Sequence, residues 1–134
     1  MPQVQFHEIT SERTGEPSAA IRQRVIAARQ KQHERFHDRP HVTCNARMGT
    51  RELKGHCELD SATLELLKFA MADLNLSARA YDRIMKVARI IADLAGTPEI
   101  KGDHVSEAIQ FRSLDRQIWT QRMRVTRDEW QRET

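Results

Sequence analysis

Two arginines near the beginning of a candidate helix are the residues whose types and spacing best suit binding chemistry in this 134-residue chain. The segment from Leu76 to Gly96, LSARAYDRIMKVARIIADLAG, has helical periodicity, and Ser77 and Gly96 are placed to cap and to end it. Arg79 falls in the first turn, where the helix dipole disfavours a cation by about 0.3–1 kcal/mol. Arg83 follows one turn later on nearly the same side, and like charges at that spacing repel. This placement indicates an anion site at the beginning of the helix.

The polar side of the same segment has a second interpretation that needs no ligand. At about 100° per residue, its acidic and basic side chains stand three and four residues apart, the spacing at which opposite charges pair on a helix surface. Spacing alone favours such a surface lattice of ion pairs over an anion site, and it leaves both open. The pairs would join Arg79 to Asp82, Asp82 to Lys86, and Arg89 to Asp93.

The apolar side of this helix is broad enough to contact two neighbours, which predicts a central position in a helical bundle. Ile90 is the exception, because it falls among the polar residues. We therefore expect another helix or a partner domain to cover that side. The apolar face consists of Ala80, Tyr81, Ile84, Val87, Ala88, Ile91, Leu94 and Ala95.

Composition and length favour one small helical domain. Charged residues make up 31% and aromatic residues 5% of the chain, which is typical of a solvated all-α protein. The 22 basic and 19 acidic residues leave a net charge of +3, which permits nucleic-acid contact without requiring it. No apolar run of about 18 residues, no leader and only two cysteines are present, so we expect a cytoplasmic protein with no membrane contact and no disulfide.

Four further segments have helical character, so the sequence predicts an all-α fold, a small bundle of four to five helices. Because only a short connection around Asn75 precedes the central helix, we expect it to form a tight hairpin with the helix before it. The predicted helices run from a cap at Ser18 to about His37, over RELKGHC after Thr50, from a cap at Asp60 to about Leu74, and onward from a cap at Asp103.

Polar segments mark the limits of this domain. Residues 1–17 alternate weakly and then become polar, which is typical of a linker or a strand remnant. Residues 18–117 form the helical domain, and residues 118–134 form a polar, arginine-rich tail.

Four residues around the short helix have the ligand types of a zinc site: His41, Cys44, His56 and Cys57. Adjacent His56 and Cys57 cannot easily aim at one ion, so we expect no metal site and expect Cys57 to pack as a small apolar residue. Nucleophilic catalysis has as little support, because no Ser or Cys has a paired base at helical spacing.

Basic residues make nucleic-acid binding an alternative function. Trp119 and Trp130, near the basic residues of the tail, are available to stack on bases. A basic helix is equally typical of a solvated face or of a surface that docks on an acidic domain, and we favour that interpretation. The cations are Arg22, Arg24, Arg29, Lys31, Arg35 and Arg39 in or just after the first helix, and Arg122, Arg124, Arg127 and Arg132 in the tail.

The segment from Leu76 to Gly96 also resembles the C-terminal helical region of the magnesium chelatase-like AAA+ ATPases of the ComM group. SAAIRQRVIAARQKQHERF resembles the first lid helix of that family, and HVSEAIQFRSLDR resembles its closing helix. The stretch from Asn45 through Cys57 and Leu59 resembles the connecting segment. The resemblance covers roughly residues 15–117 in the family's order and spacing.

The resemblance implies a role for Arg79. In AAA+ proteins the lid packs over the nucleotide, and a sensor II arginine near the beginning of a lid helix reaches toward the γ-phosphate. Arg79, within Ser77-Ala78-Arg79-Ala80, is the matching residue, and Arg83 is a second candidate. A guanidinium grips phosphate oxygens through parallel hydrogen bonds and stays charged. The resemblance therefore reverses the preference for a surface ion pair at Arg79.

The resemblance also implies the surroundings of the domain. ATP and Mg²⁺ would be the cofactors of a longer parent protein, and the preceding AAA+ core and neighbouring subunits of a ring would be its partners. The family is associated with DNA branch migration, so DNA is a further candidate partner. Two positions depart from the family pattern: Ile90 stands where Thr is usual, and Phe111 stands where Tyr is usual.

Hydrolysis of ATP needs parts that this sequence lacks. It contains no G-x-x-x-x-G-K-[ST] loop and no strand ending in paired acids. We therefore expect a fragment of a longer ATPase that binds no cofactor alone and is not itself an enzyme.

Overall fold

The computed structural model describes residues 15–112, which form a small helical bundle. Helix α1 spans Ser18–Arg35, a 3-10 turn spans Asn45–Arg47, and helix α2 spans Thr50–His56. Helix α3 spans Ser61–Asp73, helix α4 spans Ala78–Leu94, and helix α5 occupies 102–112 up to the last described residue. No strand occurs among these residues, and the predicted all-α bundle is confirmed. The predictions for residues 1–14 and for the tail lie outside the described residues.

Most helices begin or end at the capping residues that the sequence predicted. The Asp60 carboxylate accepts a hydrogen bond from the Thr63 amide at 3.0 Å, and the Thr63 donors lower the pKa of Asp60. Asn75 ends α3 with a φ of 47°, and Gly96 follows α4 with a φ of 77°. Ser77 Oγ accepts from the Ala80 amide at 3.3 Å. These caps orient the beginning of α4.

Two predicted caps are wrong. Ser18 is the first residue inside α1, whereas Pro17 occupies the cap position without a side-chain hydrogen bond. Pro17 suits this place because its fixed φ and missing amide cost nothing at the end of a helix. The last helix begins at residue 102, before Asp103. At this helix end, the ring nitrogen Nδ1 of His104 accepts a hydrogen bond of 3.0 Å from the backbone amide of Lys101.

Helix α4 is central to the core, as its broad apolar face predicted. Its buried side chains include Ile84, Met85, Ala88 and Ala92, which pack with Leu67 of α3 and with side chains from the rest of the bundle. It packs closely against α1, the 3-10 turn and α2, and Val105 and Ala108 of α5 lie in the same core. Helix α3 approaches α4 less closely than α1 does, so the predicted hairpin of α3 and α4 is not tight. None of the described helices has the length and apolar character needed to cross a membrane.

Candidate functional site

Arg79 lies in the first turn of α4 with its side chain exposed to solvent. No residue within 15–112 accepts a hydrogen bond from it or pairs with its charge, so the ion pair with Asp82 predicted from spacing does not form. The turn carries no acidic residue to balance it. The guanidinium therefore adds a free positive charge to the positive end of the helix dipole.

Arg83 is also exposed and lacks an ion pair in the described part of the chain. The Lys86 ammonium donates to the backbone carbonyl of Ala46 at 3.1 Å, and the predicted pair with Asp82 is absent. Two of the three pairs of the proposed surface lattice are therefore wrong. The first turns of α4 form a surface of unneutralised arginines, as an anion site requires.

The third predicted pair exists, but it is buried. Arg89 and Asp93 approach to 3.1 Å with almost no solvent exposure. The Arg35 guanidinium grips the same carboxylate through two hydrogen bonds of 2.7 and 2.8 Å, and the Asn45 amide donates a third at 2.7 Å. Burial raises the pKa of Asp93, but the donors Arg35 and Asn45 outweigh it, so its pKa lies below the usual range. We call these four residues the buried ionic cluster.

The buried ionic cluster joins distant parts of the chain. Arg35 also donates to the Asn45 side-chain oxygen at 2.8 Å, and its hydrogen bond to Asp93 raises its pKa. Arg89 donates to the carbonyls of Pro98 and Thr97 at 2.9 and 3.0 Å. The cluster thus ties α1, the 3-10 turn and the loop after α4 to the central helix. Its role is structural, because buried and internally paired charges are closed to a ligand.

Sequence reasoning placed Arg89 and Asp93 on a solvated face and missed this cluster. The buried side of α4 is rotated from the predicted one: Met85 and Ala92 are buried, whereas Leu94 and Ala95 are exposed. The i, i+4 spacing of Arg89 and Asp93 was the available signal, but their burial depends on partners from distant segments.

The basic surface of α1 is smaller than its composition suggests. Arg35 belongs to the buried ionic cluster, and Arg24 pairs with Glu16 at 2.6 Å. Arg39, after the helix, lies 3.7 Å from a carboxylate oxygen of Glu52. Arg22 and Arg29 remain exposed and have no ion pair among residues 15–112.

The four residues weighed as zinc ligands do not form a metal centre. No group of three or more His, Cys, Asp or Glu side chains among the described residues could hold an ion. Cys57 is buried in the core, where burial raises the pKa of its thiol to about 11, so it packs as a small apolar residue as predicted. The His56 ring packs edge-on against Phe36, with 5.5 Å between ring centroids.

Ile90 and Phe111, the two departures from the family pattern, line one groove between α4 and α5. Ile90 is half-buried, and it also lines an adjoining hollow beside α1. Helices α1 and α5 therefore flank Ile90 without covering it completely. The cover predicted for this side of α4 is only partly supplied by the described residues.

A capped central helix with an exposed, unpaired arginine in its first turn, set in a small all-α bundle, is compatible with a helical lid domain. Residues 15–112 match the family model described as magnesium chelatase, subunit ChlI C-terminal. The chain belongs to this family, and residues 15–112 form the C-terminal helical lid domain of a magnesium chelatase-like AAA+ protein.

Individual relatives agree with this assignment. The chain is 38% identical over 102 residues to the uncharacterized protein YifB of Salmonella typhimurium, a match that covers 76% of this chain and 19% of that protein. The competence protein ComM of Haemophilus influenzae gives the same identity and coverage. A protein of Mycobacterium tuberculosis is 35% identical over 114 residues, covering 81% of this chain and 22% of the relative. This chain therefore spans about a fifth of the length of the curated relatives it matches.

Proposed function

We propose that the domain is the nucleotide-sensing lid of an AAA+ ATPase and that Arg79 is its sensor II arginine. The free guanidinium of Arg79 in the first turn of α4 is the observation that carries this proposal. An isolated cation at a positive helix end is unfavourable by about 0.3–1 kcal/mol, and a bound anion reverses the sign of that interaction. The γ-phosphate of ATP, held by a preceding AAA+ core, is that anion.

In this proposal the domain supplies sensing, and the core supplies hydrolysis. Mg²⁺ and the attacking water would be positioned by residues of the core, since phosphoryl transfer needs a phosphate cradle and a metal-holding acid. Arg79 would contact the γ-phosphate only while ATP is bound. Loss of this contact after hydrolysis would free the lid to move. That motion would pass to neighbouring subunits of a ring.

The test is ATP turnover by the AAA+ core together with this domain, in one polypeptide or as separate chains. We expect Arg79→Ala to lower turnover at saturating ATP by about 10-fold or more, because one charge-stabilising donor at the transferred phosphate is lost. Arg79→Lys should restore only part of the rate, since an ammonium lacks the planar fork of arginine. Arg83→Ala asks whether the second candidate contributes.

The matched control is Arg51→Ala, which removes another exposed arginine with no hydrogen bond or ion pair in the described region. Urea unfolding of each variant checks that stability is preserved. Equal turnover by Arg79→Ala and Arg51→Ala would contradict the sensor assignment.

We further propose that the parent motor remodels DNA. The similarity to a relative named competence protein ComM supports this, as do the exposed and unpaired Arg22 and Arg29 on α1. In the same assay we expect DNA to stimulate turnover of the wild-type protein. The alternative function, a helical module that binds nucleic acid or protein by itself, would instead give salt-sensitive DNA binding by this chain without the core.

A further inference from the structure

The groove between α4 and α5 has a volume of about 450 Å³ that the described residues leave open, and its lining is mainly apolar. Its floor is aliphatic and is built from Ile84, Val87 and Ile90 of α4 and Ala108 of α5. Phe111, at the end of the described part of α5, stands beside it with 57% of its surface exposed. Apolar side chains left open in this way are typical of a surface that binds another protein.

Cations surround this floor. Arg83, Lys86 and Arg112 line the groove, and no acidic side chain does. Arg83 and Arg112 form no ion pair within residues 15–112, so their charges are available. The adjoining hollow beside α1 adds Arg29 and likewise has no acidic lining residue. An occupant of this groove must therefore combine apolar side chains with negative charge.

Helix α3 carries the complementary surface on the same molecule. Phe69 is 75% exposed and is the most exposed large apolar residue of the described region, and Leu66 is 43% exposed. They stand three residues apart on one stripe of the helix, the spacing of anchors that enter a groove. Asp73 lies on the exposed part of the same helix and has no ion pair among the described residues. Glu65 is also exposed but pairs with Lys68, the only basic residue of the helix, at 2.8 Å, so the helix keeps a net negative charge.

We propose that α3 of one copy docks into the groove between α4 and α5 of a second copy, with Phe69 and Leu66 on the aliphatic floor and the unpaired Asp73 toward the basic rim. No α3 residue lines the groove or the adjoining hollow, so one copy can use both surfaces at once. The lining on α4 runs from residue 83 to residue 90, about 10 Å at 1.5 Å per residue, which matches two turns of α3.

Two other occupants fit less well. Single-stranded nucleic acid binds through stacking on aromatic rings, and Phe111 is the only aromatic residue that lines the groove. The tail from residue 113 onward carries five arginines against four acids, so its charge does not complement a basic rim. A second copy satisfies both the apolar and the charge requirement.

The contact is head-to-tail, because the two surfaces differ. Such a contact closes into a ring or continues as an open chain of copies. A single helix in a groove buries less than about 1,200 Å², so we expect weak association that is measured at concentrations up to about 1 mM. The proposal does not depend on nucleotide sensing, since Arg79 does not line the groove.

Sedimentation equilibrium of the full chain tests this contact without nucleotide or core. We expect the average mass of the wild-type chain to rise continuously with concentration beyond that of a dimer. Phe69→Asp removes the docking surface and Phe111→Asp disrupts the groove, so each variant alone should associate at least about 10-fold more weakly. Ile21→Asp replaces another exposed apolar residue, on α1 outside the groove, and should associate like the wild type.

Mixing the two variants gives the decisive result. Phe69→Asp keeps an intact groove and Phe111→Asp keeps an intact α3, so the mixture should form a 1:1 dimer and stop there. A wild-type chain that stays monomeric would overturn the proposal, as would a mixture that does not associate. Unchanged association of Phe69→Asp would also overturn it, because another occupant would then fill the groove.

Discussion

Asp93 is a side chain on which hydrogen bonds from distant parts of the chain converge. Its carboxylate accepts from Arg35 and Asn45 and pairs with Arg89, although Arg35 stands 58 residues away in sequence. Burying three charges costs desolvation, and their mutual hydrogen bonds offset that cost. The cluster therefore specifies how α1 and the 3-10 turn sit on α4 more than it adds net stability.

Replacing the Asp93 carboxylate should show how far the fold depends on this cluster. We expect Asp93→Asn to lower the free energy of unfolding by about 3–5 kcal/mol, because the buried guanidinium of Arg89 and the partly buried guanidinium of Arg35 lose their counter-charge. Urea unfolding of the full chain at neutral pH measures the change. Asp82→Asn on the same helix is the matched control, since Asp82 has no ion pair among the described residues, and it should shift stability by less than about 0.5 kcal/mol. Similar losses in both variants would contradict the structural role.

The contrast between Arg79 and Arg89 shows what sequence could predict at this scale. The position of Arg79 in the first turn is a local property and indicated an anion site, although spacing alone favoured an ion pair with Asp82 that does not form. The burial of Arg89 could not be predicted, because it depends on Arg35 and Asn45 folding over one side of α4. A periodicity analysis assigns charged residues to solvent and has no information on such partners.

The elements of the fold were predictable where their limits depend on neighbouring residues. Asp60, Asn75, Ser77 and Gly96 act within four residues of the helix ends that they define, so the sequence predicted them correctly. The packing of helices against one another was harder to predict from the sequence. The short connection suggested that α3 pairs with α4, whereas α1 covers α4 through the buried ionic cluster.

Gly96 should be sensitive to substitution because of its backbone conformation. Its φ of 77° is strained for any residue with a Cβ, while an added Cβ would meet only Lys31 Nζ at 3.9 Å. We expect Gly96→Ala to lower the free energy of unfolding by about 1–2 kcal/mol. Gly55→Ala is the control, because Gly55 lies inside α2 with nothing within 4 Å of the added Cβ. It should stabilise the chain by about 0.5–1 kcal/mol. The same sign for both changes in thermal or urea unfolding would argue against this explanation.

At the scale of the whole molecule, the described residues form a buried core and leave two surfaces exposed. One surface contains Arg79, which is exposed and has no ion pair among residues 15–112, and the other is the apolar groove with its basic rim. The buried ionic cluster holds α1, the 3-10 turn and the loop after α4 on the central helix, which contributes to both surfaces. The family was recognisable from sequence because the spacing of its helices is retained, but the groove became visible only once α4 and α5 were placed side by side.

Acid should destabilise the bundle in two separate ranges of pH. Burial, and then the charge of Arg35, lowers the pKa of His56 below its ordinary value of about 6.5, so the unfolded chain binds this proton more tightly than the folded one. The stability linked to His56 is therefore complete above pH 6.5 and is lost as the pH falls toward its folded pKa. Asp93 and Asp60 have lowered pKa values, so their contributions are complete above about pH 4 and are lost only below it.

Urea unfolding of the full chain at pH 7.5, 6 and 5 separates the first range from the second. We expect the free energy of unfolding of the wild type to decrease over this series and that of His56→Gln to decrease less. His56→Gln also loses the edge contact with Phe36, so the slope with pH is compared and not the absolute stability. His41→Gln replaces an exposed histidine and should keep the wild-type slope. Parallel slopes for His56→Gln and the wild type would show that the acid sensitivity above pH 5 does not come from His56.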